Sequence, residues 1–189
     1  MPMQTAAASS PSAPVIRPAC EADMAAIQRI YAHAVLHGLA TFELEPPDTA
    51  EMTARWRAIR AAGYPYLAAV EPGEGGALLG YAYASAFRPR PAYRFAVENS
   101  VYVDPALHRR GAGRALLAGL IAACEAGPWR QMIAVIGDSA NAASIGLHAA
   151  LGFRHAGLLA GTGFKFGRWV DSVYMQRPLG PGAGTPPAG

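Results

Sequence analysis

Lysine, cysteine and long apolar runs are all scarce in this sequence of 189 residues. Lys165 is the single lysine, so the net charge of +3 comes almost entirely from scattered arginines. Such a small excess argues against nucleic acid as a partner, whereas the planar guanidinium of arginine suits small anionic ligands. No apolar run approaches the roughly 20 residues of a membrane span. We therefore expect neither a nucleic-acid partner nor a membrane partner.

The two cysteines, Cys20 and Cys124, do not form the pattern of a disulfide framework or a metal site. A reducing cytoplasm is therefore the expected compartment. His33 and His37 have a spacing that can bind zinc on a helix, but no glutamate occupies the H-E-x-x-H position between them. No third ligand is evident either, so we predict no metal.

The composition predicts one globular domain, because 52% of the residues are apolar and only 15% are charged. We expect a disordered N-terminal lead over residues 1–14, which has no signal-peptide pattern, and a single domain over residues 15–179. The Gly/Pro-rich tail, residues 180–189, is also expected to be disordered.

Hydrophobic periodicity predicts strands first, then alternating strands and helices, then strands again. The predicted helices lie at 24–35, from 49 after the cap pair Asp48 and Glu51, from 111–113 to about 124, and at 141–151. The predicted strands lie at 15–17, 66–70, 78–84, 97–103 and 132–136, with two more after residue 153. The continuous apolar strand 132–136 is typical of buried parallel pairing. This order predicts a mixed α/β layer fold.

A glycine-rich turn between a strand and a helix is the strongest chemical signal. Its sequence is His108-Arg109-Arg110-Gly111-Ala112-Gly113-Arg114. A helix start presents unpaired backbone N–H groups, glycines let an anion come close, and arginines add positive charge. The turn lacks the Gly-Lys-Ser/Thr of nucleoside-triphosphate loops and the third glycine of the dinucleotide motif. It predicts a pyrophosphate site, and a plain turn with surface arginines is the alternative interpretation.

This turn and several other segments resemble the GCN5-related N-acetyltransferase (GNAT) family, and within it the phosphinothricin and methionine sulfoximine/sulfone acetyltransferases. The turn matches the family signature Arg/Gln-x-x-Gly-x-Gly/Ala except at His108. The other segments that carry the resemblance are 88–93, Glu98, 101–103, 134–137, Asn141, 147–148, 151–153 and 163–171. The resemblance implies the GNAT fold, an α/β fold with a mixed, mostly antiparallel twisted sheet, a central parallel strand pair and helices on both faces.

The resemblance also implies acetyl-CoA as the cosubstrate. Its cofactor-binding residues would be Val101, Tyr102, Val103, Arg109, Arg110, Gly111, Ala112, Gly113, Arg114 and Asn141. Val101 and Val103 would offer backbone groups to the pantetheine arm. Asn141 is also a favourable helix N-cap, which is its alternative interpretation.

Glu98 and His148 are the catalytic candidates. A protonated amine has no lone pair with which to attack a thioester, so a base must take its proton. The resemblance implies that Glu98 does so through water, and a surface carboxylate is the alternative. His148 stands where many family members have a tyrosine, and it could protonate the leaving thiolate or only pack on the cofactor.

Arg88, Arg90, Tyr93, Lys165 and Phe42 are the predicted substrate-binding residues. Paired arginines suit a carboxylate, a phosphinate or a sulfone oxygen, and a solvated basic loop is the alternative. The resemblance implies acetyl transfer to the α-amine of a small anionic amino acid such as phosphinothricin, methionine sulfoximine or methionine sulfone, in a homodimer. Other acceptors (a polyamine, a drug or a protein N-terminus) and a non-catalytic acetyl-CoA-binding module are the competing hypotheses.

Overall fold

The computed structural model describes residues 13–107 and 111–187, which form one sheet and four α-helices. The strands are β1 (Val15–Pro18), β2 (Tyr66–Val70), β3 (Leu78–Ala86), β4 (Ala96–Val103), β5 (Gln131–Ile136), β6 (Arg154–Lys165) and β7 (Arg168–Pro178). The helices are α1 (Met24–His37), α2 (Thr49–Ala61), α3 (Ala112–Glu125) and α4 (Ala142–Ala150). All the predicted strands and helices are therefore present, with ends that differ by a few residues.

The seven strands form a single sheet in the order β1-β2-β3-β4-β5-β7-β6. β4 and β5 are parallel, and every other neighbouring pair is antiparallel. The short apolar strand β5 thus lies between a parallel and an antiparallel neighbour, where both of its edges are paired. The predicted mixed sheet with a central parallel pair is confirmed.

Helices cover both faces of the sheet, as predicted. On one face, α3 buries Leu116, Leu117 and Leu120 against the strands. On the other face, α1 and α2 bury residues such as Ile27 and Trp56 against the tyrosines of β2 and β3. The apolar stripes predicted from the helix periodicity therefore pack into the two parts of the core, one on each face of the sheet.

Local hydrogen bonds cap the start of α2 and tie down the segment before α1. The Asp48 carboxylate accepts a hydrogen bond from the Glu51 backbone N–H at 2.8 Å and so caps α2, as its sequence pattern predicts. Before α1, the Asp23 carboxylate accepts from the Cys20 backbone N–H at 2.8 Å and from both terminal nitrogens of Arg17 at 2.7 Å. These bonds tie the start of α1 to β1.

The C-terminal residues 180–187 form turns that lie beside the start of β5. Arg130 donates from Nη2 to the Pro186 carbonyl at 3.2 Å, and Leu179 is fully buried. Backbone hydrogen bonds from Gly182 to Leu179 and from Gly184 to Pro181 close two turns there, and the disorder expected of this Gly/Pro-rich tail stays a prediction. Residues 1–12, 108–110 and 188–189 lie outside the described residues. Among the described helices, none has the length and apolar character needed to cross a membrane.

Candidate active site

The site begins where the parallel pairing of β4 and β5 ends. The pairing runs from Ala96 and Gln131 to Asn99 and Ala134, and it does not extend to the later residues of either strand. Beyond Asn99, β4 continues to pair with β3 on its other side. One edge of β4 at residues 100–103 is thereby free of a strand partner, and its backbone groups can bind a ligand.

Two adjoining cavities open at this gap, with volumes of about 260 Å³ for the inner cavity and about 330 Å³ for the outer groove. The inner cavity alone is lined by residues that include Tyr83, Glu98, Ser100, Ile136, Gly137 and Phe42. The outer groove alone is lined by residues that include His33, His37, Val103, Pro105, Gly113 and Leu147. Residues lining both are Ala40, Val101, Tyr102, Asn141, Ser144 and His148. The two cavities are therefore neighbours with a shared lining, and we call them together the passage.

Glu98 lies on β4 at the inner end of this passage, where its side chain is half-buried. Burial raises the pKa of its carboxyl above the ordinary value of 4.5, and the positive charge of Arg88 opposes that shift. A carboxylate with a raised pKa holds a captured proton more strongly than an exposed one. The predicted base thus stands in an environment that suits proton transfer.

The predicted anion-binding residues of the acceptor side are arranged unequally. Arg88 is exposed and lines neither cavity, but its positive charge affects the pKa of Glu98, and its guanidinium lies 5.1 Å from the Phe87 ring centroid. Arg90 is exposed and lines neither cavity. Tyr93 packs against Phe87 with ring centroids 5.9 Å apart and lines a different cavity, beside the C-terminal segment. Within one chain, only Arg88 is therefore associated with Glu98.

The N-terminus of α3 stands at the outer end of the passage. Gly111 precedes the helix with a φ of 79°, a backbone conformation that favours glycine, and as the N-cap residue it has no side chain with which to cap the helix. Gly113 lines the outer groove in the first turn, where backbone N–H groups have no partner within the helix. Ala112 is buried and Arg114 is exposed, while Arg109 and Arg110 lie outside the described residues.

Cofactor contacts are predicted for Val101, Tyr102 and Val103. At Tyr102 such a contact can come only from the main chain. The Tyr102 ring packs into the sheet's other face, 5.2 Å from the ring centroids of both Tyr31 and Tyr81. Val101 and Val103 face the α3 core instead. The alternation along β4 therefore leaves its free backbone edge, rather than the Tyr102 side chain, for a ligand.

Asn141 both caps α4 and lines the passage. Its side-chain oxygen accepts from the Ser144 backbone N–H at 3.1 Å, and its Nδ2 donates to the Gly137 carbonyl at 3.2 Å. The capping interpretation from the sequence is confirmed by these contacts. Its position in the lining of both cavities is compatible with the cofactor contact as well.

His148 is buried, and both of its ring nitrogens face protein groups. Asn99 donates from Nδ2 to the Ile133 carbonyl at 3.1 Å, so its Oδ1 is the acceptor for His148 Nε2 at 3.0 Å. On the other side of the ring, Nδ1 lies 2.8 Å from the Ser144 carbonyl and 3.4 Å from the Ser144 hydroxyl. Burial lowers the pKa of His148, and the hydrogen bond with the Ser144 backbone opposes this. The ring therefore links α4 to β4 and, through Asn99, to β5.

The loop after α1 forms one wall of the inner cavity. Phe42 belongs to this loop, and Lys165 contacts it. Phe42, a predicted substrate-binding residue, lines the cavity. Lys165 is 2% exposed and lines neither cavity, because its Nζ donates to the Thr41 carbonyl at 2.8 Å. The side chain expected to reach the substrate thus contacts the loop that borders the inner cavity.

Sequence reasoning missed Asn99 and Tyr83. Asn99 is a buried amide on β4 between Glu98 and Ser100, and this run of three polar residues within an otherwise apolar strand was the available signal. Tyr83 lines the inner cavity, but nothing in its strand distinguishes it from Tyr81, the other tyrosine of β3.

His33 and His37, weighed above as metal ligands, line the outer groove with ring centroids 4.8 Å apart. Over residues 13–107 and 111–187, no group of three or more His, Cys, Asp or Glu side chains could hold a metal ion. The helical spacing of the two histidines is therefore not accompanied by further ligands in the part of the chain that is described.

Comparison with known proteins places these features in a family. A family model described as an acetyltransferase (GNAT) domain matches residues 16–174. The phosphinothricin N-acetyltransferase of Alcaligenes faecalis is 52% identical, over 99% of this chain and 100% of that protein. The L-methionine sulfoximine/L-methionine sulfone acetyltransferase of Salmonella typhimurium is 43% identical, over 87% of this chain and 94% of that protein.

The fold is also similar to solved structures. The crystal structure of a phosphinothricin acetyltransferase from Sinorhizobium meliloti, in complex with acetyl-CoA, superposes with a TM-score of 0.89. The two chains are 51% identical, and the match covers 94% of each.

Proposed function

The chain belongs to the GNAT acetyltransferase family, and we propose from this premise that it moves the acetyl group of acetyl-CoA to the α-amine of a small anionic amino acid. Phosphinothricin, methionine sulfoximine and methionine sulfone are the acceptor types we propose, and the names of the similar proteins support them. One observation carries the proposal: two adjoining cavities lie between the N-terminus of α3, which begins after Gly111, and the half-buried carboxylate of Glu98.

The residues of the passage fit acetyl-CoA. The unpaired N–H groups at the start of α3, together with Arg114, would bind the pyrophosphate, and Arg109 and Arg110 are proposed to add charge there. The free edge of β4 at Val101 and Val103 would hydrogen-bond the amide groups of the pantetheine arm. The bound cosubstrate supplies the thioester as the acetyl donor.

Glu98 is proposed as the water-assisted general base. The substrate ammonium must lose a proton before its nitrogen can form a bond to the acetyl carbon, and the carbon–sulfur bond then breaks. The raised pKa of Glu98 supports its role as the acceptor of that proton. A backbone N–H at the free edge of β4 would stabilise the negative charge that develops on the carbonyl oxygen.

His148 is proposed to position the strands rather than to protonate the leaving thiolate. The two roles were left open by the sequence. Its Nε2 donates a hydrogen bond to Asn99, and its Nδ1 faces Ser144. Protonation of the leaving thiolate by His148 would therefore require breaking a buried hydrogen bond. The proton for the thiolate is then more readily drawn from solvent.

Arg88 supports an anionic acceptor, because its charge lies near the proposed base. Arg90 and Tyr93 could bind such an acceptor only if a second copy of the chain brought them to the cavity. Their proposed role therefore depends on the proposed homodimer. Exposed apolar side chains on the β6–β7 hairpin support such a dimer, among them Phe164, Phe166 and Trp169. Sedimentation analysis measures the oligomeric state directly.

We also propose the cytoplasm as the compartment, on the basis of the two unpaired cysteines.

A thiol-release assay with acetyl-CoA tests the function. We expect turnover with methionine sulfone and phosphinothricin and little with spermidine. Glu98→Gln should lower kcat about 100-fold or more while leaving the Kd of acetyl-CoA within about twofold. Glu74→Gln, in an exposed turn, is the matched control and should behave as wild type.

Equal losses in turnover and acetyl-CoA affinity on Glu98→Gln would remove Glu98 as the base. Preference for spermidine over the amino acids would overturn the acceptor class. Acetyl-CoA binding with no turnover on any amine would favour the non-catalytic module instead.

A further inference from the structure

The loop after α1 forms one wall of the inner cavity and is held by residues distant in sequence. We name residues 39–43 the wall loop; four consecutive members, Leu39 to Phe42, line the cavity. The wall loop has no helix or strand hydrogen bonds of its own. Its conformation must therefore be determined by side chains around it.

Lys165 holds the wall loop from the β6 side. Its ammonium donates to the Thr41 carbonyl at 2.8 Å, across 124 positions of sequence. Its side chain is almost fully buried, and its Nζ also lies 5.1 Å from the Phe166 ring centroid. A hydrogen bond from a charged donor in a site shielded from water is stronger than one between neutral groups.

Tyr31, on α1, holds the wall loop from the opposite side. Its hydroxyl donates to Glu43 Oε1 at 3.0 Å and lies 3.0 Å from the Thr41 hydroxyl. Arg55 donates to the same Glu43 oxygen at 2.6 Å and, from Nε, to Glu51 at 2.8 Å. The wall loop is thereby connected to both α1 and α2.

Phe42 closes the third side by packing on glycine. A Cβ atom added at Gly163 would lie 2.7 Å from Phe42 Cε1, and one added at Gly137 would lie 3.4 Å from Phe42 Cζ. The ring thus occupies space that only a glycine at position 163 leaves open. Small displacements of the wall loop would change the shape of the inner cavity directly.

We propose that Lys165 is a positioning residue, which acts with Tyr31 and Glu43 to hold the wall loop in the shape that accepts the amino-acid substrate. This inference rests on the proposed function. It assigns Lys165 an action through the Thr41 carbonyl, in contrast to direct binding of the substrate carboxylate.

The first test uses Lys165→Met with two acceptors, methionine sulfone and its carboxamide, which lacks the carboxylate. For methionine sulfone we expect the KM to rise about tenfold and kcat to change less than about twofold. The ratio of variant to wild-type kcat/KM should be the same for both acceptors. If Lys165→Met lost kcat/KM with methionine sulfone but not with the carboxamide, Lys165 would bind the substrate carboxylate directly, and the proposal would be overturned. Arg154→Met, which also replaces a cationic side chain by methionine but at an exposed position of β6, is the control.

The second test uses Tyr31→Phe, alone and combined with Lys165→Met. Both variants loosen the same loop, so we expect the double variant to lose less than the sum of the two single losses. Strict additivity would overturn the proposal. Tyr31→Phe also supplies the answer if Lys165→Met does not fold, because it should raise the acceptor KM by itself.

Hydrogen exchange separates failure of this inference from failure of the proposed function. The backbone amides of the wall loop should exchange faster in Lys165→Met than in wild type or in Arg154→Met. Faster exchange in a protein that acetylates no amine would retain the positioning role and reject the function. Unchanged exchange would reject the positioning role whatever the activity.

Discussion

Replacing Gly163 with alanine tests whether Phe42 sets the shape of the inner cavity. The added Cβ would lie 2.7, 2.9 and 3.0 Å from three ring carbons of Phe42. Carbon atoms in contact are ordinarily roughly 3.5–4.0 Å apart, so the ring must move by about 1 Å. Because Phe42 lines the cavity, that movement changes the space available to the acceptor.

The magnitude follows from how freely the ring can move. Overpacking a filled site costs about 1–3 kcal/mol. Phe42 is 40% exposed, so part of its ring faces solvent, and the loss in unfolding free energy should be about 1 kcal/mol or less. The KM of methionine sulfone should rise about five- to tenfold, which corresponds to about 1–1.4 kcal/mol of binding.

Urea denaturation and steady-state kinetics measure these two effects. Gly157→Ala is the matched control, because a Cβ added at Gly157 on the same strand meets nothing within 4 Å. Adding Phe42→Ala to Gly163→Ala should relieve the steric conflict, so the double variant should be no worse than Phe42→Ala alone. If Gly163→Ala matched Gly157→Ala in both stability and acceptor KM, the assigned role of Phe42 would be refuted.

Two further predictions concern Glu98 and Asn99. Because burial raises the pKa of Glu98, kcat/KM should fall as the pH drops through a value above 4.5. Arg88→Ala removes a positive charge that stabilises the carboxylate, so the pH at which kcat/KM falls should be higher in the variant. An unchanged pH would contradict the electrostatic coupling between Arg88 and Glu98. Asn99→Ala leaves His148 Nε2 and the Ile133 carbonyl without their buried partner, so the unfolding free energy should fall by about 2 kcal/mol in urea. A loss below about 0.5 kcal/mol would contradict those hydrogen bonds.

Local pattern predicted the elements well because their causes are local. The apolar stripe of α3 buries Leu116, Leu117 and Leu120, and the Asp48 cap begins α2 where its spacing indicates. The apolar run of β5 indicated parallel pairing, and that pairing is present. In each case the information lies within one turn or one strand, so no distant partner is needed.

The candidate site was predictable in its residues but less so in their contacts. Glu98, Asn141 and Phe42 all line the inner cavity, and the roles expected of them stay predictions. Lys165 was expected to reach the substrate, yet its ammonium bonds to Thr41 instead. That partner is 124 positions away, and no local pattern specifies a contact of that kind.

The sequence by itself determined the order of the elements, the glycine-rich turn into α3 and the presence of a carboxylate on β4, because these follow from spacing and residue type. Only the tertiary structure decided that β4 and β5 separate after Asn99, which frees one edge of β4. It also decided that burial raises the pKa of Glu98 and that Lys165 reaches across to the wall loop. Strand separation, burial and distant hydrogen bonds depend on segments far apart in the chain, and these meet only when the core is packed.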